Sequence, residues 1–239
     1  MIRPVTPPDV FTFWEGPGRE ALAPMLAEWR TGWPGFSVIG DTDVIPCLAR
    51  DHPRLAPLYR RLTIPAARSD IARLAWLWAH GGAYVDAHAG LHDPDGFRRV
   101  LDSLPEGGVA LIDKNPKTRP PGNSPTALWP LNGAIFARRG APFLGAALAA
   151  ITEGLEAYDR APALTASIWE ISGPGLFITL LRDPDNRCAV IPRWRDEVRM
   201  LKATEAPVRF YAHKGYRDPA RHWSTREQTE PLLAPAPEA

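Results

Sequence analysis

Residues 69–93 limit what this chain can fold into more than any other stretch. Its first half predicts a helix, because apolar side chains recur between Ile71 and Trp78 at the spacing of one helical face. Gly81-Gly82 would end that helix, since glycine readily takes the positive φ of a helix end. A short strand-forming run follows and ends at Asp86. The pattern predicts a ligand-binding crevice at the carboxyl end of a strand in an open α/β sheet.

Polar side chains in this stretch fall on two predicted faces. Asp70 and Arg73 are three residues apart, so a helix makes them neighbours on its surface. Side chains alternate along a strand, which turns Tyr84 and Asp86 the same way, and His88 with them if the backbone stays extended. The helix and the strand would therefore both bring polar groups to the crevice.

The stretch resembles the sugar-nucleotide motif of the family 32 glycosyltransferases. That family has the DXD-containing sugar-binding region, and the large clostridial glucosylating toxins share its core. The positions that fit the family pattern, in chain order, are Ser69, Asp70, Arg73, Leu77, Gly81, Gly82, Tyr84 and Asp86. His88 stands where the pattern has its second aspartate. The resemblance implies a single α/β domain of the glycosyltransferase A type, with a mixed central sheet, over residues 1–230.

The resemblance implies a catalytic role for Asp86, Asp70 and Arg73. Asp86 holds the first aspartate position, which contacts the ribose or the sugar of the donor. Asp70 and Arg73 would clamp the sugar hydroxyls, whereas an ion pair at a helix surface would itself contribute only about 0–1 kcal/mol of stability. We therefore expect Asp70→Ala and Arg73→Ala to leave the fold intact and to remove most transfer activity.

Six residues are implied to bind the nucleotide sugar: Trp14, Ser69, Tyr84, Asn132, Trp223 and Ser224. Trp14 would stack on uracil, and the alternative is a core tryptophan at a strand end. Asn132 would hydrogen-bond the donor sugar, and the alternative is the hairpin turn that Asn-Gly favours. Trp223-Ser224 lies where the family has Ser-Trp after a histidine, with order and spacing changed, and the alternative is a surface loop.

A divalent cation is the cofactor that the resemblance implies, and here the chain departs from its pattern. The family's second aspartate binds manganese, whereas His88 offers a neutral nitrogen. Mn²⁺ and Mg²⁺ favour oxygen ligands, so their binding should weaken. The expected ligands are Asp86, His88, His213 and His222, together with diphosphate oxygens. The alternative is a metal-independent enzyme in which Arg, Lys or protonated His side chains cover the diphosphate.

The rest of the chain predicts strands and helices in alternation. A strand at 10–14, a helix at 21–30 and a strand at 36–39 make a βαβ start, which favours parallel strands. Further strands are predicted at 108–112, 188–191 and 209–212, and helices at 51–62, 97–104, 142–152 and 176–181. The loop at 113–130 is longer than about 12–15 residues, which is typical of functional loops, so it is a candidate acceptor or lid loop, with disorder as the alternative.

Two further motifs have structural interpretations. Asp41-Thr-Asp43 is a second Asp-x-Asp, but it lies between a strand and a helix, where Asp is an ordinary N-cap residue. We assign it mainly to capping. Ser172-Gly-Pro-Gly175 resembles the family's Gly-Pro turn before a helix. Its N–H groups could face an anion, but the glycines more simply allow a turn and close packing.

Composition excludes several classes of protein. The 239 residues suffice for one domain with a sizeable core, and a formal net charge of +1 gives no sign of a nucleic-acid partner. Two cysteines far apart give neither a disulfide framework nor metal spacing. No signal sequence or transmembrane segment is recognisable, so we expect a cytoplasmic protein. The proline-rich residues 231–239 predict a disordered tail.

The function expected from the resemblance is transfer of a hexose from a nucleotide sugar, a uridine diphosphate sugar, with retention of configuration. The acceptor would be a saccharide, a lipid-linked glycan or a protein. Two alternatives stay open. One is a non-catalytic binding protein with a degenerate motif, which His88 favours, and the other is a sugar-nucleotide hydrolase.

Overall fold

The structure, a computed structural model, describes residues 9–114, 127–162, 167–213 and 223–236. The strands in these ranges are β1 (Val10–Phe13), β2 (Ser37–Ile39), β3 (Gly82–Val85), β4 (Gly90–Leu91), β5 (Val109–Asp113), β6 (Pro130–Ala137), β7 (Val198–Lys202) and β8 (Val208–Arg209). The α-helices in the same ranges are α1 (Ala23–Gly32), α2 (Asp41–Asp51), α3 (Leu55–Arg61), α4 (Pro65–His80), α5 (Pro94–Asp102), α6 (Pro142–Arg160), α7 (Ile168–Ile171), α8 (Pro174–Leu181) and α9 (Trp223–Arg226). Most of the candidate lid loop at 113–130 lies outside the described residues.

Six of these strands form one mixed sheet in the order β2-β1-β3-β6-β5-β7. β1 runs parallel to β2 and to β3, so the predicted βαβ start is confirmed. β6 is antiparallel to both of its neighbours, β3 and β5, and β7 is parallel to β5. The predicted α/β class with a mixed central sheet is therefore confirmed.

Helices cover both faces of the sheet, because successive strand side chains point to opposite faces. Phe11 of β1 and Tyr84 of β3 belong to the buried cluster that α2, α3, α4, α6 and α8 form on one face. Val10 and Val85 of the same strands belong to the cluster that α1 and α5 form on the other. The core is thus two apolar layers with the sheet between them.

Helix α4 and strand β3 are joined by two glycines that leave no room for a side chain. Gly81 has φ 75° and Gly82 has φ 99°, the left-handed region that favours glycine. A Cβ on Gly82 would lie 2.2 Å from the carbonyl oxygen of Asp9. The chain therefore reverses directly from α4 into β3. Unlike the one-faced helix that the apolar stripe predicted, α4 is buried along most of its length.

Several elements differ from their predicted extents. The predicted helix at 51–62 is in fact α3 alone, after α2 has ended at Asp51, because Pro53 disfavours helical backbone at His52. The predicted strand at 188–191 is reduced to a single bridge between Arg182 and Val190. The edge strand β7 was missed, since two of its five residues, Arg199 and Lys202, are charged and do not follow the period-2 alternation of a strand. The predicted strand at 209–212 is only β8, two residues long.

The predicted disordered tail is corrected for residues 231–236, which dock on the domain. Leu232 and Leu233 are buried, and the backbone N–H of Thr63 donates to the carbonyl oxygen of Leu232 at 3.1 Å. The prediction of disorder was based on the proline content of the segment and overlooked the apolar contact that two adjacent leucines provide. Residues 237–239 lie outside the described part of the chain. Among the described helices, none is long and apolar enough to cross a membrane.

Candidate sugar-nucleotide site

A cavity of about 1070 Å³ opens where β1 and β3 end. The two strands are parallel, so their carboxyl ends meet at one edge of the sheet, where open α/β sheets bind ligands. The residues that line the cavity are Phe13, Trp14, Glu15, Pro17, Gly18, Ala21, Ile64, Pro65, Ala66, Ser69, Asp70, Arg73, Tyr84, Asp86, Ala87, His88, Asn132, Ile168, Trp169, Gly173, Pro174, Trp223, Thr225 and Arg226. Most of the residues predicted to bind the nucleotide sugar are among them.

The fixed offsets of the motif follow from the reversal at Gly81. Eight helical residues from Arg73 to Gly81 rise about 12 Å. Five residues of extended chain from Gly81 to Asp86 run back about 16 Å. The return is about 4 Å longer than the rise, and the arginine side chain, which tilts toward the start of its helix, covers that difference. Arg73 Nη1 lies 3.2 Å from Asp86 Oδ1.

Arg73 is the centre of a buried polar network. Its side chain is only 5% exposed, and its Nη1 donates to the backbone carbonyl of Asn132 at 2.5 Å. Its Nη2 donates to Ser69 Oγ at 3.0 Å and lies 2.9 Å from Asp70 Oδ1. Its guanidinium also lies over the ring of Tyr84, 4.3 Å from the centroid, a cation–π geometry. Four sequence-predicted residues thus meet on one guanidinium.

Asp70 accepts two hydrogen bonds in addition to its ion pair with Arg73. Asn132 Nδ2 donates to its Oδ1 at 2.8 Å, and Ser172 Oγ donates to its Oδ2 at 3.1 Å. Burial raises the pKa of Asp70 to about 7, against the lowering effect of Arg73 and of these two donors. The carboxyl group therefore titrates near neutrality instead of near its ordinary value.

The structure corrects the expectation that Asp70 and Arg73 form a surface pair. Both residues are 5% exposed, so their ion pair is buried. Removal of one partner from a buried pair leaves an uncompensated charge, which typically costs about 3–5 kcal/mol. On this geometry we expect either alanine variant to be destabilised, instead of keeping the full stability of the fold.

Tyr84 links the two sides of the network. Its hydroxyl donates to Asp86 Oδ1 at 2.7 Å and lies 3.2 Å from Ser69 Oγ. Burial raises the pKa of Tyr84 well above its ordinary value, so the phenol keeps its proton at neutral pH. Asp86 Oδ1 is thus held by Tyr84 and Arg73, while the carboxylate side chain stays 23% exposed at the cavity.

Asn132 and Gly133 lie inside strand β6, so the alternative of an Asn-Gly hairpin turn is excluded. The N–H of Asp86 donates to the carbonyl oxygen of Gly133 at 2.8 Å. A Cβ on Gly133 would lie 2.7 Å from Asp86 Oδ2, so the glycine gives the carboxylate its space. The pairing register between β5 and β6 shifts between Leu111 and Ile112, close to this point.

His88 is buried beside Asp86, with its Nδ1 3.7 Å from Asp86 Oδ2. Its ring stacks on Tyr211 at 4.6 Å between centroids and 7° between planes. Tyr211 has φ 61° and is 51% exposed. The N–H of His213 donates to the carbonyl oxygen of His88 at 3.1 Å. The segment 211–213 thus fixes His88 through both its ring and its backbone.

Of the predicted metal ligands that the structure describes, Asp86 and His88 lie side by side, whereas His213 does not join them. His213 Nε2 lies 2.8 Å from Glu28 Oε2, so its ring is engaged with α1 and not with Asp86. Burial raises the pKa of Glu28, but the hydrogen bonds from His213 and Arg209 outweigh it and hold that pKa below its ordinary value. His222 lies outside the described residues. Within the described ranges, no group of three or more His, Cys, Asp and Glu side chains could hold a metal ion.

The remaining predicted residues divide between the cavity and its surroundings. Trp14 is half-buried and lines the cavity directly after β1, as does Trp223 at the start of α9. Ser224 lies on α9 but not in the lining. Asp43 accepts the N–H of Gly40 at 2.9 Å, as expected of a capping residue, and Asp41 pairs with Arg68 at 2.6 Å.

Sequence reasoning missed Ser172 and Trp169. Ser172 is 2% exposed and contacts Asp70 across 102 residues of sequence. Trp169 lines the cavity from the short helix α7. The signal available was the Ser-Gly-Pro-Gly motif at 172–175, which was interpreted as a turn without a partner. Helix packing decides which residues such a turn reaches, and the sequence pattern does not contain that information.

Comparison with known proteins gives a match to a family and matches to several solved structures. Residues 23–94 match the family described as "Glycosyltransferase sugar-binding region containing DXD motif". No curated protein matches the chain. The solved structure "PaToxG Glycosyltransferase" is similar with a TM-score of 0.43 and 14% sequence identity, over 70% of this chain and 66% of that chain. The mixed sheet and the family match fit the predicted glycosyltransferase A-type fold. Residues 23–94 are therefore similar to the sugar-binding region of DXD-containing glycosyltransferases, the resemblance that the sequence motif predicted.

Proposed function

We propose that the protein transfers a hexose from a nucleotide sugar, a uridine diphosphate sugar, to a saccharide, lipid-linked glycan or protein acceptor in the cytoplasm, with retention of configuration. One observation carries the proposal. The buried network of Ser69, Asp70, Arg73, Tyr84, Asp86 and Asn132 lies on the wall of a large cavity at the carboxyl edge of the sheet. A fold that needed only stability would not keep six polar groups there, because buried polar networks are costly unless fully satisfied.

The network supplies paired donors and acceptors for sugar hydroxyls. Arg73 presents a fixed positive charge, since the ring of Tyr84 and the carboxylates of Asp70 and Asp86 hold its guanidinium in place. Asp70 and Asp86 present acceptor oxygens. Such groups act without reorganisation during the reaction, which is the main requirement for electrostatic stabilisation of developing charge.

The leaving diphosphate needs its charge neutralised, and a divalent cation would supply that chemistry when bound. The described residues do not by themselves fit a resident cation. Asp86 and His88 are the two donors that adjoin one another at the cavity, and no third described ligand joins them. Arg73 and Arg226 are the arginines of the described lining, and we assign part of the charge neutralisation to them.

A panel of nucleotide sugars tests the proposal. We expect one uridine diphosphate sugar to bind and to release its nucleotide, with guanosine and adenosine counterparts binding more weakly. Trp14→Ala should weaken binding of the uridine nucleotide by about 1–3 kcal/mol, the usual range for base stacking on an aromatic ring. Failure of every nucleotide sugar to bind would overturn the proposal.

The same panel separates two alternatives. Binding without release of nucleotide would indicate a non-catalytic sugar-nucleotide-binding protein, which the histidine at the second motif position favours. Release at a rate that no acceptor changes would indicate a hydrolase. Each result replaces the transferase proposal and leaves the sugar-nucleotide site in place.

His88→Asp tests the metal dependence. The substitution restores the second carboxylate of the motif, and Mn²⁺ prefers oxygen ligands. We expect the variant to gain a response to manganese in nucleotide release and to keep or raise its activity, whereas Asp86→Asn should lose donor binding or turnover. A wild type that stays fully active in a chelator, with no gain of manganese response in His88→Asp, would contradict a cation at this position.

A further inference from the structure

We propose that Trp169 is the acceptor platform of the cavity: one face of its indole stacks on a pyranose ring of a saccharide acceptor, next to the donor sugar. The inference rests on the proposed glycosyl transfer and deepens it by naming the acceptor class and the residue that binds it. Four observations support it. They are the partial exposure of Trp169, its close packing against Gly173 and Gly175, the hydrogen bond from Ser172 of the same turn to Asp70, and the size of the cavity.

Trp169 differs from the apolar residues around it in facing the cavity. Helix α7 buries Ile168 and Ile171 in the main core cluster. Trp169, between them, is half-buried and lines the cavity with Gly173 and Pro174. A large aromatic side chain that lies partly open in a cavity offers a flat apolar surface to a ligand.

Two glycines pack closely against Trp169, Gly175 against its ring and Gly173 against its backbone. A Cβ on Gly175 would lie 2.3 Å from Trp169 Cε3 and 2.5 Å from Cζ3. A Cβ on Gly173 would lie 2.9 Å from Trp169 Cα. Neither glycine has a positive φ, so the close approach of the tryptophan, and not the backbone, excludes a side chain. The Ser-Gly-Pro-Gly motif therefore serves as a rigid seat for this indole.

The same turn places Trp169 at the sugar end of the cavity. Ser172, three residues after Trp169, donates to Asp70 Oδ2 at 3.1 Å. Asp70 belongs to the network that we assign to the donor sugar, whereas Trp14 follows β1 and is assigned to the base. The ring of Trp129 adds a second aromatic surface beside Trp169, with 6.3 Å between centroids.

The chemistry of this wall fits a saccharide. A pyranose has a face of C–H groups, which the electron-rich face of an aromatic ring attracts, and a rim of hydroxyls. Thr225 and Arg226 of α9 line the same cavity and can hydrogen-bond such a rim. The cavity volume of about 1070 Å³ is at the upper limit of the roughly 300–1,000 Å³ typical of a site for one small molecule, which leaves room for a second ligand.

The test compares Trp169→Leu with Trp169→Phe in the full chain. Leucine keeps apolar contact in the core but has no π face, whereas phenylalanine keeps a flat ring. Release of nucleotide from UDP-glucose is measured alone and against increasing maltose, cellobiose, lactose and mannobiose. Trp33→Leu is the control, because Trp33 is also half-buried but lines a different cavity, beside Gly81.

We expect one disaccharide to accelerate the wild type. Trp169→Leu should raise the KM for that disaccharide about tenfold or more, which corresponds to a loss of at least about 1.4 kcal/mol in acceptor binding. Trp169→Phe should recover most of that loss, and in both variants the KM for the disaccharide should change by a larger factor than the UDP affinity or the acceptor-free release. The proposal would be overturned if folded Trp169→Leu had an unchanged KM for the disaccharide, or if it lost UDP affinity instead.

The outcomes also separate this inference from the proposed function. If the wild type releases nucleotide but none of the disaccharides changes the rate, the proposal that Trp169 binds a saccharide acceptor is overturned. The proposed sugar-nucleotide chemistry is not affected by that result. If the wild type neither binds nor turns over UDP-glucose or any other nucleotide sugar, both the acceptor proposal and the proposed function are overturned. Equal effects in Trp33→Leu and Trp169→Leu would show general destabilisation and would also count against the platform.

Discussion

At the scale of single residues, Arg73 is the side chain on which the site depends. It contacts the carboxylates of Asp70 and Asp86 and the hydroxyl of Ser69, and it lies over the ring of Tyr84. A guanidinium has a rigid fork of donors and stays protonated, so it can hold several acceptors in one plane where a lysine could not. One residue thus both stabilises the buried network and orients the groups that would meet the sugar.

Arg73→Ala is therefore expected to destabilise the fold as well as to remove activity. The substitution leaves Asp70 buried without its cation, for a typical loss of about 3–5 kcal/mol in the free energy of unfolding. Urea denaturation at pH 8 measures the loss. Arg99→Ala is the control, because the pair of Arg99 with Asp93 is largely exposed and should be worth about 0–1 kcal/mol. Equal, small effects in the two variants would contradict a buried pair.

The raised pKa of Asp70 predicts a pH dependence of stability. The pKa rises from an ordinary 3.8 to about 7 on folding, so between these values the folded state binds the proton more tightly than the unfolded state. The contribution of this group to stability is therefore present at low pH and falls as the pH rises from about 4 to about 7.

Asp70→Asn should remove that slope from the free energy of unfolding measured across the same pH range. The substitution keeps the shape of the side chain and cannot titrate. The same comparison applies to donor binding, which should strengthen as the pH rises through about 7 in the wild type, because the ionised carboxylate is the better acceptor. Identical slopes in the two proteins would show that another group titrates.

At the scale of secondary structure, the antiparallel strand β6 completes the site. It lies between β3 and β5 and brings Asn132 to Asp70 and Gly133 to Asp86. Helix α4 supplies the network from the other side. The site is thus formed where one strand of reversed direction enters a sheet that starts as a parallel one.

Gly133→Ala tests how closely β6 approaches Asp86. The added methyl would lie 2.7 Å from Asp86 Oδ2, so the carboxylate must move. We expect a loss of donor affinity or turnover of tenfold or more with a fold that still forms, measured by titration with uridine diphosphate and by circular dichroism. Gly35→Ala is the control, because its added methyl would meet one atom at 4.0 Å. Full activity in Gly133→Ala would show that Asp86 has no fixed position.

The sequence predicted the part of the site that lies on α4 and β3, two elements that follow one another directly in the chain. Ser69, Arg73, Tyr84 and Asp86 could be located because a helix, a tight glycine reversal and a strand relate positions at fixed offsets. Ser172 could not, since its contact with Asp70 spans 102 residues and depends on how α7 and α8 pack. Burial of the Asp70–Arg73 pair was missed for the same reason: the apolar stripe predicted one buried face, whereas other helices cover the rest of α4.

At the scale of the whole molecule, the cavity is built from segments that are distant in the chain. Its lining includes Ile64 before α4 and Trp223 on α9. Arg226 Nη2 donates to the carbonyl oxygen of Thr63 at 3.2 Å, and residues 231–236 pair with the same region. The C-terminal segment therefore supports one wall of the cavity and is more than a tail.

Removal of residues 231–239 should lower stability because Leu232 and Leu233 are buried. We expect a loss of at least about 2–5 kcal/mol, the usual cost of removing one large buried aliphatic side chain. Denaturant unfolding of the truncated and full chains measures it, and removal of residues 237–239 alone is the control. A truncated chain as stable as the full one would mean that the docked leucines contribute nothing to the fold.

The contact between Arg226 and Thr63 also sets the order in which the protein can become active as it leaves the ribosome. The two residues are 163 positions apart, and the ribosome adds roughly 5–20 residues per second. The motif on α4 and β3 is therefore made many seconds before the segment that closes the cavity around it. A nascent chain would hold its polar network on an open sheet edge during that time, and donor binding would wait for the segment that carries Arg226.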